Sequence, residues 1–323
     1  MVHNIVGESG GLFVSGSSQV NARLQGVAAA SAAYVMWGFM PLYWRLVSGA
    51  DSWEVIAHRV MWSLVFLPLI LVCRSRLGEA LRALRSWLTQ PRLMGGLVVA
   101  ALFCGFNWWI NVIAVQIDHV VELGIGTFLT PLLSVLMGVI CFRERLGWGQ
   151  WLGMALAAVG VLIMVVGFGQ MPWIALSVSL SWAAYGAMKK RLQLDAWVSL
   201  LMEGLLMLPL ALGYVVWLQS VGAAHFLPFT YPGLSAALAG TGLVASIPMV
   251  FFTMAAVMLP MNLLGLCQYI APFITLLLGV LFFAEPFGCK QALPLSFIWT
   301  GIAVYLMSDW VAHRHERKGE RLK

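Results

Sequence analysis

Charged residues are missing from stretch after stretch of this chain, each about as long as a bilayer is thick. Gly95 to Val115 is one such run, with no Asp, Glu, Lys or Arg in it. Roughly 20 apolar residues cross the hydrocarbon core as a helix. Inside lipid every backbone N–H and C=O must be satisfied internally, which only helices and closed barrels achieve. These runs are continuously apolar and lack the period-two alternation of barrel strands, so helices remain. Composition agrees: 61% of residues are hydrophobic and 10% charged, against roughly a quarter charged in a soluble domain. About 200 of the residues would lie in ten spans, which excludes a large soluble catalytic domain in a chain of 323 residues.

Polar breaks divide the chain into ten expected spans, starting near Leu24, Trp53, Leu93, Val120, Trp148, Pro172, Trp197, Leu234, Asn262 and Leu293. The first 23 residues read as a polar tail without the basic and apolar regions of a cleavable signal, so the first span is expected to direct insertion. Of the 19 Lys and Arg, 16 fall in the N-terminal tail, the connections after spans 2, 4 and 6, and the C-terminal tail. Arg45 and Lys290 fall on the opposite side, and Arg59 lies within span 2. The positive-inside rule then places both termini in the cytoplasm and requires an even number of spans. The net charge of +6 is accordingly read as topology and anionic lipid contact, not nucleic-acid binding.

A shift of 141 residues superimposes two parts of the chain. Pro131, Leu136, Gly138, Val139, Phe142, Glu144, Gly147 and Gln150 recur as Pro272, Leu277, Gly279, Val280, Phe283, Glu285, Gly288 and Gln291. The same shift sets Pro68 on Pro209. A unit of five spans is odd, so the second copy enters the membrane inverted, as in secondary transporters. The expected organisation is a cytoplasmic tail over 1–23, a first five-helix repeat over 24–167, a second, inverted repeat over 172–312, and a basic cytoplasmic tail over 313–323. The fold class is an all-α integral membrane protein of ten transmembrane helices.

Four segments carry a family resemblance: Ala57-His-Arg-Val-Met-Trp-Ser63, Asn107-Trp-Trp-Ile-Asn111, Gln268-Tyr-Ile-Ala-Pro-Phe273 and Gly279-Val-Leu-Phe-Phe-Ala-Glu285. From about Gly26 to Ala312 the chain resembles the RarD branch of the EamA group, in the drug/metabolite transporter superfamily. The resemblance implies a ten-helix inner-membrane permease built from two inverted repeats, which exports or exchanges metabolites or drugs. One departure is Met258-Leu-Pro-Met-Asn262, where a basic residue is expected to anchor the cytoplasmic connection.

Ionisable groups within spans are functional candidates, because burial in lipid costs several kcal/mol unless they are paired or wet. Helical rise puts Arg59, His58, Glu122 and Asn107 at one outer depth and Glu203, Gln268 and Tyr269 at one inner depth. These are expected to form two polar clusters flanking a central cavity. Arg59 would bind a substrate carboxylate or phosphate, and Glu203 or His58 would carry a coupling proton. Depth alone separates Arg59 from Glu203 by roughly 13 Å, too far for a direct bridge. The bland alternatives are snorkelling for Arg59, structural pairing for Glu203 and a hydrogen-bonded core role for His58.

Pro131, Pro272, Pro68 and Pro209 are candidate hinges, or fixed kinks needed for packing. Gly149, Gly153 and Ala157 form a small-residue stripe that suits close packing, either within the chain or against a second copy in a homodimer. Gly7-Glu-Ser-Gly-Gly11 and Gly240-Thr-Gly-Leu-Val-Ala245 mimic catalytic and nucleotide motifs without the context those motifs need. The five cysteines have no metal-ligand spacing, so neither a metal nor a cofactor is expected. The functional expectation is a secondary transporter exporting a small amphipathic metabolite or drug by alternating access, with a proton as the candidate coupling ion. The alternative is a facilitative channel or a lipid flippase without ion coupling. Intramembrane enzyme chemistry is not expected.

Overall fold

A computed structural model describes residues 16–117, 119–227, 229, 231–282 and 288–321. The described residues are all helical or connecting, with helices starting within a few residues of most of the expected positions. The first half holds α1 (Gly16–Trp44), α2 (Ser52–Cys73), α3 (Leu77–Leu88), α4 (Pro91–Gln116), α5 (Val120–Phe142) and α6 (Trp148–Phe168). The second half holds α7 (Trp173–Leu192), α8 (Ala196–Ser220), α9 (Pro232–Met258), α10 (Met261–Cys267), α11 (Ile270–Leu281) and α12 (Cys289–Arg321). Among the described residues, eight segments are long and apolar enough to cross a membrane: α2, α4, α5, α6, α8, α9, most of α10 with α11, and most of α12. The two remaining long helices, α1 and α7, hold more polar residues. The repeat partners Phe283 and Glu285, and the tail through residue 15, lie outside the described residues.

Local sequence explains several helix ends. Asp51 and Asp195 start α2 and α8, each accepting two backbone N–H groups of the first turn, from Trp53 and Glu54 and from Trp197 and Val198. α1 begins at Gly16, inside the expected polar tail, and Arg23 on this extension meets Asp309 of α12 at 3.0 Å. The arginine-rich connection after α2 contains α3, an amphipathic helix that buries Ala80 and Trp87 and exposes Arg82 and Arg85. At its start Arg76 pairs with Asp195 at 3.1 Å, and this carboxylate raises the guanidinium pKa further above its usual value.

The ninth expected span is broken at Gln268 and Tyr269, between α10 and α11. Pro272 lacks the N–H that would bond the carbonyl of residue 268, so the ladder opens one turn before it. Its repeat partner Pro131 sits inside an uninterrupted α5, and Pro68 and Pro209 likewise lie in continuous α2 and α8.

The helices pack in matching pairs. α1 lies on α9 as α4 lies on α7, α2 meets α9 as α8 meets α4, and α5 meets α7 as α11 meets α1. α2 with α8, α5 with α10, and α6 with α12 complete the set. The small-residue stripe of α6 is covered by α12 of the same chain. A Cβ on Gly153 would lie 2.6 Å from the Gly301 carbonyl oxygen, and one on Gly149 would lie 2.5 Å from Ser308 Oγ. Gly240 to Ala245 lies inside α9, where a Cβ on Gly242 would come within 2.4 Å of the α2 backbone at Trp62. These glycines serve helix approach, the small-residue logic of membrane packing.

The turn between α9 and α10 carries no basic residue of its own and is anchored from two other helices. Glu144, just beyond α5, accepts the N–H groups of Met261 and Asn262 at 2.7 and 2.9 Å. Lys190 at the end of α7 donates to the Leu259 carbonyl and pairs with Glu144 at 3.3 Å. Gly138 leaves room for that carboxylate, since a Cβ there would lie 2.5 Å from Glu144 Oε2.

Candidate functional site

Where α2, α4, α8 and α9 meet, the helices leave a narrow cavity of about 40 Å³, room for water but not for a small molecule unless the helices part. Its walls are mostly apolar, with Leu67, Leu200, Met207 and Met249 among them, and its polar groups come from Arg59, Ser63, Cys104, Glu203 and Ser246. Arg59 and Glu203, placed at different depths by sequence, therefore line one cavity. No ion pair joins them among the described residues.

Arg59 projects from α2 over the face of Trp108 on α4, with the guanidinium carbon 3.9 Å from the ring centre. A cation on an indole face gains up to about 2 kcal/mol when desolvated, but its N–H fork is not consumed by that contact. Among the described residues no carboxylate pairs with it. Beside it, Ser246 donates to Ser63 at 2.7 Å, and Ser63 donates to the Arg59 carbonyl at 2.6 Å. The result is a positive, donor-rich end on an otherwise greasy cavity.

Glu203 on α8 is satisfied from α7. Tyr185 donates to one carboxylate oxygen at 3.0 Å and the Lys189 ammonium donates to the other. Lys189 also donates to Ser199 at 2.9 Å and is 2% exposed. Sequence reasoning counted Lys189 with the loop charges because it opens the Lys189-Lys190-Arg191 run. The available signal was spacing: Tyr185 and Lys189 share one face of α7 at i, i+4, as Ser199 and Glu203 do on α8.

The other expected site residues have other partners. Glu122 is fully buried and caps α7, accepting the Ile174 N–H at 2.6 Å while its second oxygen meets His119 Nδ1 at 2.9 Å. Asn107 ties α4 to α7 by donating to the Val178 carbonyl and to Ser181. His58 faces away from the cavity, as the helical turn between neighbours requires, and packs on Phe226 with ring centres 4.7 Å apart. It sits by the fully buried Glu54, which accepts the N–H groups of His225 and Phe226 and meets His225 Nδ1 at 2.8 Å. The expected outer cluster of His58, Arg59, Glu122 and Asn107 is thus dispersed, each residue having its own set of partners.

Of the expected inner cluster, only Glu203 lines the cavity. Gln268 exchanges hydrogen bonds with Ser134 of α5. Tyr269 lines a second, smaller space with Pro131 and Tyr305. Among the described residues no group of three His, Cys, Asp or Glu side chains is placed to hold a metal ion.

Comparison with known proteins adds the lineage. Residues 24–166 match the EamA-like transporter family. Protein RarD of Streptomyces exfoliatus is 38% identical over 92% of this chain and 92% of its own length. The chain belongs to the EamA family and is RarD-like. Protein RarD of Escherichia coli is 33% identical over 91% of this chain and 98% of its own. The chloramphenicol-sensitive protein RarD of Pseudomonas aeruginosa is 31% identical over 92% and 97%. A solved crystal structure, 21% identical, superimposes with a TM-score of 0.65 over 88% of this chain and 98% of its own, showing the same fold. This RarD-like protein is therefore a multi-pass membrane transporter of the drug/metabolite type and not an enzyme.

Proposed function

We propose that this RarD-like protein is a secondary transporter that exports a small amphipathic metabolite or drug bearing an anionic group, by alternating access to the cavity between α2, α4, α8 and α9. The single observation that carries the reading is the Arg59 guanidinium, held on Trp108 in an apolar cavity without a carboxylate partner among the described residues. A lone, half-buried cation is costly in a membrane interior. A ligand carboxylate or phosphate would offset that cost and accept from the planar fork.

Two inverted halves, residues 24–167 and 172–312, account for the motion. The matching helix pairs support this division, since exchanging the halves maps each pair onto another or onto itself. The orientation that fits is both termini in the cytoplasm of a ten-span protein. The bacterial relatives support residence in the cell inner membrane. The break before Pro272 is the best-supported hinge, with Pro131, Pro68 and Pro209 as lesser bends along continuous helices.

Counterflow in proteoliposomes tests the reading, with labelled benzoate as a small apolar carboxylate probe. A transporter gives saturable counterflow that unlabelled benzoate drives. Losing a charge-assisted hydrogen bond costs about 1.5–3 kcal/mol, so Arg59→Ala is expected to weaken half-saturation by roughly ten- to a hundredfold. Non-saturable flux without counterflow would make the protein a channel. Counterflow unaffected by Arg59→Ala would remove Arg59 from the site.

A further inference from the structure

We propose that Glu54 and Asp195 are the two gate locks of this transporter, each holding one end of α2 and α8 together, so that releasing one or the other decides which side of the membrane the cavity faces. The inference rests on alternating access through this cavity and on the orientation with both termini in the cytoplasm.

The cavity is shut. At about 40 Å³ it admits water alone, and its α2 and α8 walls come from different halves of the chain. Substrate enters only when helices of the two halves part at one end. What ties α2 to α8 at each end is therefore what a transport cycle must release.

The two ends are tied in the same way. At the outer end, the start of α2 is held by the last two turns of α8 and by the connection beyond it. Asp51 accepts from the Tyr214 hydroxyl at 2.8 Å. Glu54 accepts the backbone N–H groups of His225 and Phe226 at 2.7 and 3.2 Å, and meets His225 Nδ1 at 2.8 Å. At the inner end, the start of α8 is held by the connection beyond α2. Asp195 accepts from Arg76 at 3.1 Å, and the Arg74 guanidinium carbon lies 5.5 Å from the centre of the Trp197 ring. The 141-residue shift that relates the halves sets Glu54 on Asp195. A repeat-related carboxylate at the start of each helix thus grips the segment that follows the other helix, at opposite ends of the bundle.

Capping alone does not account for these contacts. Asp51 caps α2, which leaves Glu54 to the connection after α8. Asp195 caps α8 with Oδ1 and holds Arg76 with Oδ2. Neither Glu54 nor Asp195 lines the cavity, so both are positioning residues that act on access and not on substrate. The locks differ in strength. Glu54 is fully buried with three partners, whereas Arg76 and Asp195 are both partly exposed.

Thiol labelling of Ser63→Cys, in a chain whose five native cysteines are replaced, tests the inference. A membrane-impermeant maleimide is applied to right-side-out and inside-out vesicles, and the ratio of the two rates reads the balance between outward and inward opening. Arg76→Ala frees the inner end while leaving the α8 cap in place. It should shift the ratio towards the cytoplasmic side by up to about fivefold, the contribution of an exposed ion pair. Glu54→Gln keeps one acceptor oxygen but loses the charge, and should shift the ratio towards the outside by about tenfold. His225→Ala removes one partner of Glu54 without touching the buried carboxylate. It should shift the ratio the same way, and it serves if Glu54→Gln does not fold. A merely structural loosening would raise both rates together and leave the ratio alone.

A ratio that the inner and outer variants leave unchanged, or move in the same direction, overturns the locks, while labelling of the parent from both sides keeps the transport path. Opposite shifts with the sides exchanged support the locks and overturn the orientation. A folded parent labelled from one side only, or from neither, overturns the path and the locks together.

Discussion

Lys189→Met is expected to remove most of the folded protein from a detergent extract. The substitution deletes the ammonium that faces Glu203 and leaves a carboxylate that is 4% exposed with the Tyr185 hydroxyl as its remaining strong donor. Breaking a buried pair by removing one partner typically costs about 3–5 kcal/mol, because the surviving charge is stranded. That is a large share of the total stability of about 5–15 kcal/mol usual for a domain. The check is fluorescence-detected size exclusion with a thermal melt. Adding Glu203→Gln to Lys189→Met should recover most of the loss, since a neutral amide can still accept from Tyr185. If Lys189→Met melts at the parent temperature, the two side chains do not form the buried pair.

Gly301→Val should be comparably damaging for a different reason. α6 and α12 approach so closely that a Cβ at Gly301 would lie 2.5 Å from the Gly153 carbonyl oxygen and 2.7 Å from the Ala157 nitrogen. Both are backbone atoms, so no side chain can swing aside and the helices must separate. Overpacking costs about 1–3 kcal/mol where neighbours can yield and more where they cannot. About 3 kcal/mol or more is expected here, read as a lower melting temperature. Gly213→Ala on α8, with nothing within 4 Å of its Cβ position, is the control and should melt with the wild type. A Gly301→Val protein as stable as that control would mean that α6 and α12 are not packed as described.

Most of the helical architecture was legible in sequence because lipid imposes a strict rule on backbone polar groups, and that rule writes itself as long uncharged runs. α3 was not legible. At 12 residues it is too short to register as a span, and its arginines resemble a loop. Gly149, Gly153 and Ala157 announced a close helix contact without naming the partner, because a small-residue stripe records the distance of approach and nothing about what approaches.

The site was half legible. Hydropathy flags charges that interrupt long apolar runs but assigns partners only by depth, and depth is a single coordinate. Arg59 and Glu203 were assigned to different clusters because their depths differ, yet one cavity reaches both. Glu122 and Asn107 share an approximate depth with Arg59, yet they point at α7, which Glu122 caps and Asn107 ties to α4. Lys189 was hidden by its neighbours: in a Lys-Lys-Arg run, nothing in composition says which side chain turns inward.

The most direct measurement is thiol accessibility at Ser63, which lines the cavity beside Arg59. Ser63→Cys would be placed in a chain whose five native cysteines are replaced, and a membrane-impermeant reagent applied to right-side-out and inside-out vesicles. Alternating access through this cavity predicts labelling from both sides, slowed from both by saturating benzoate. Labelling from one side alone under every condition, or from neither, would contradict a transport path between α2, α4, α8 and α9.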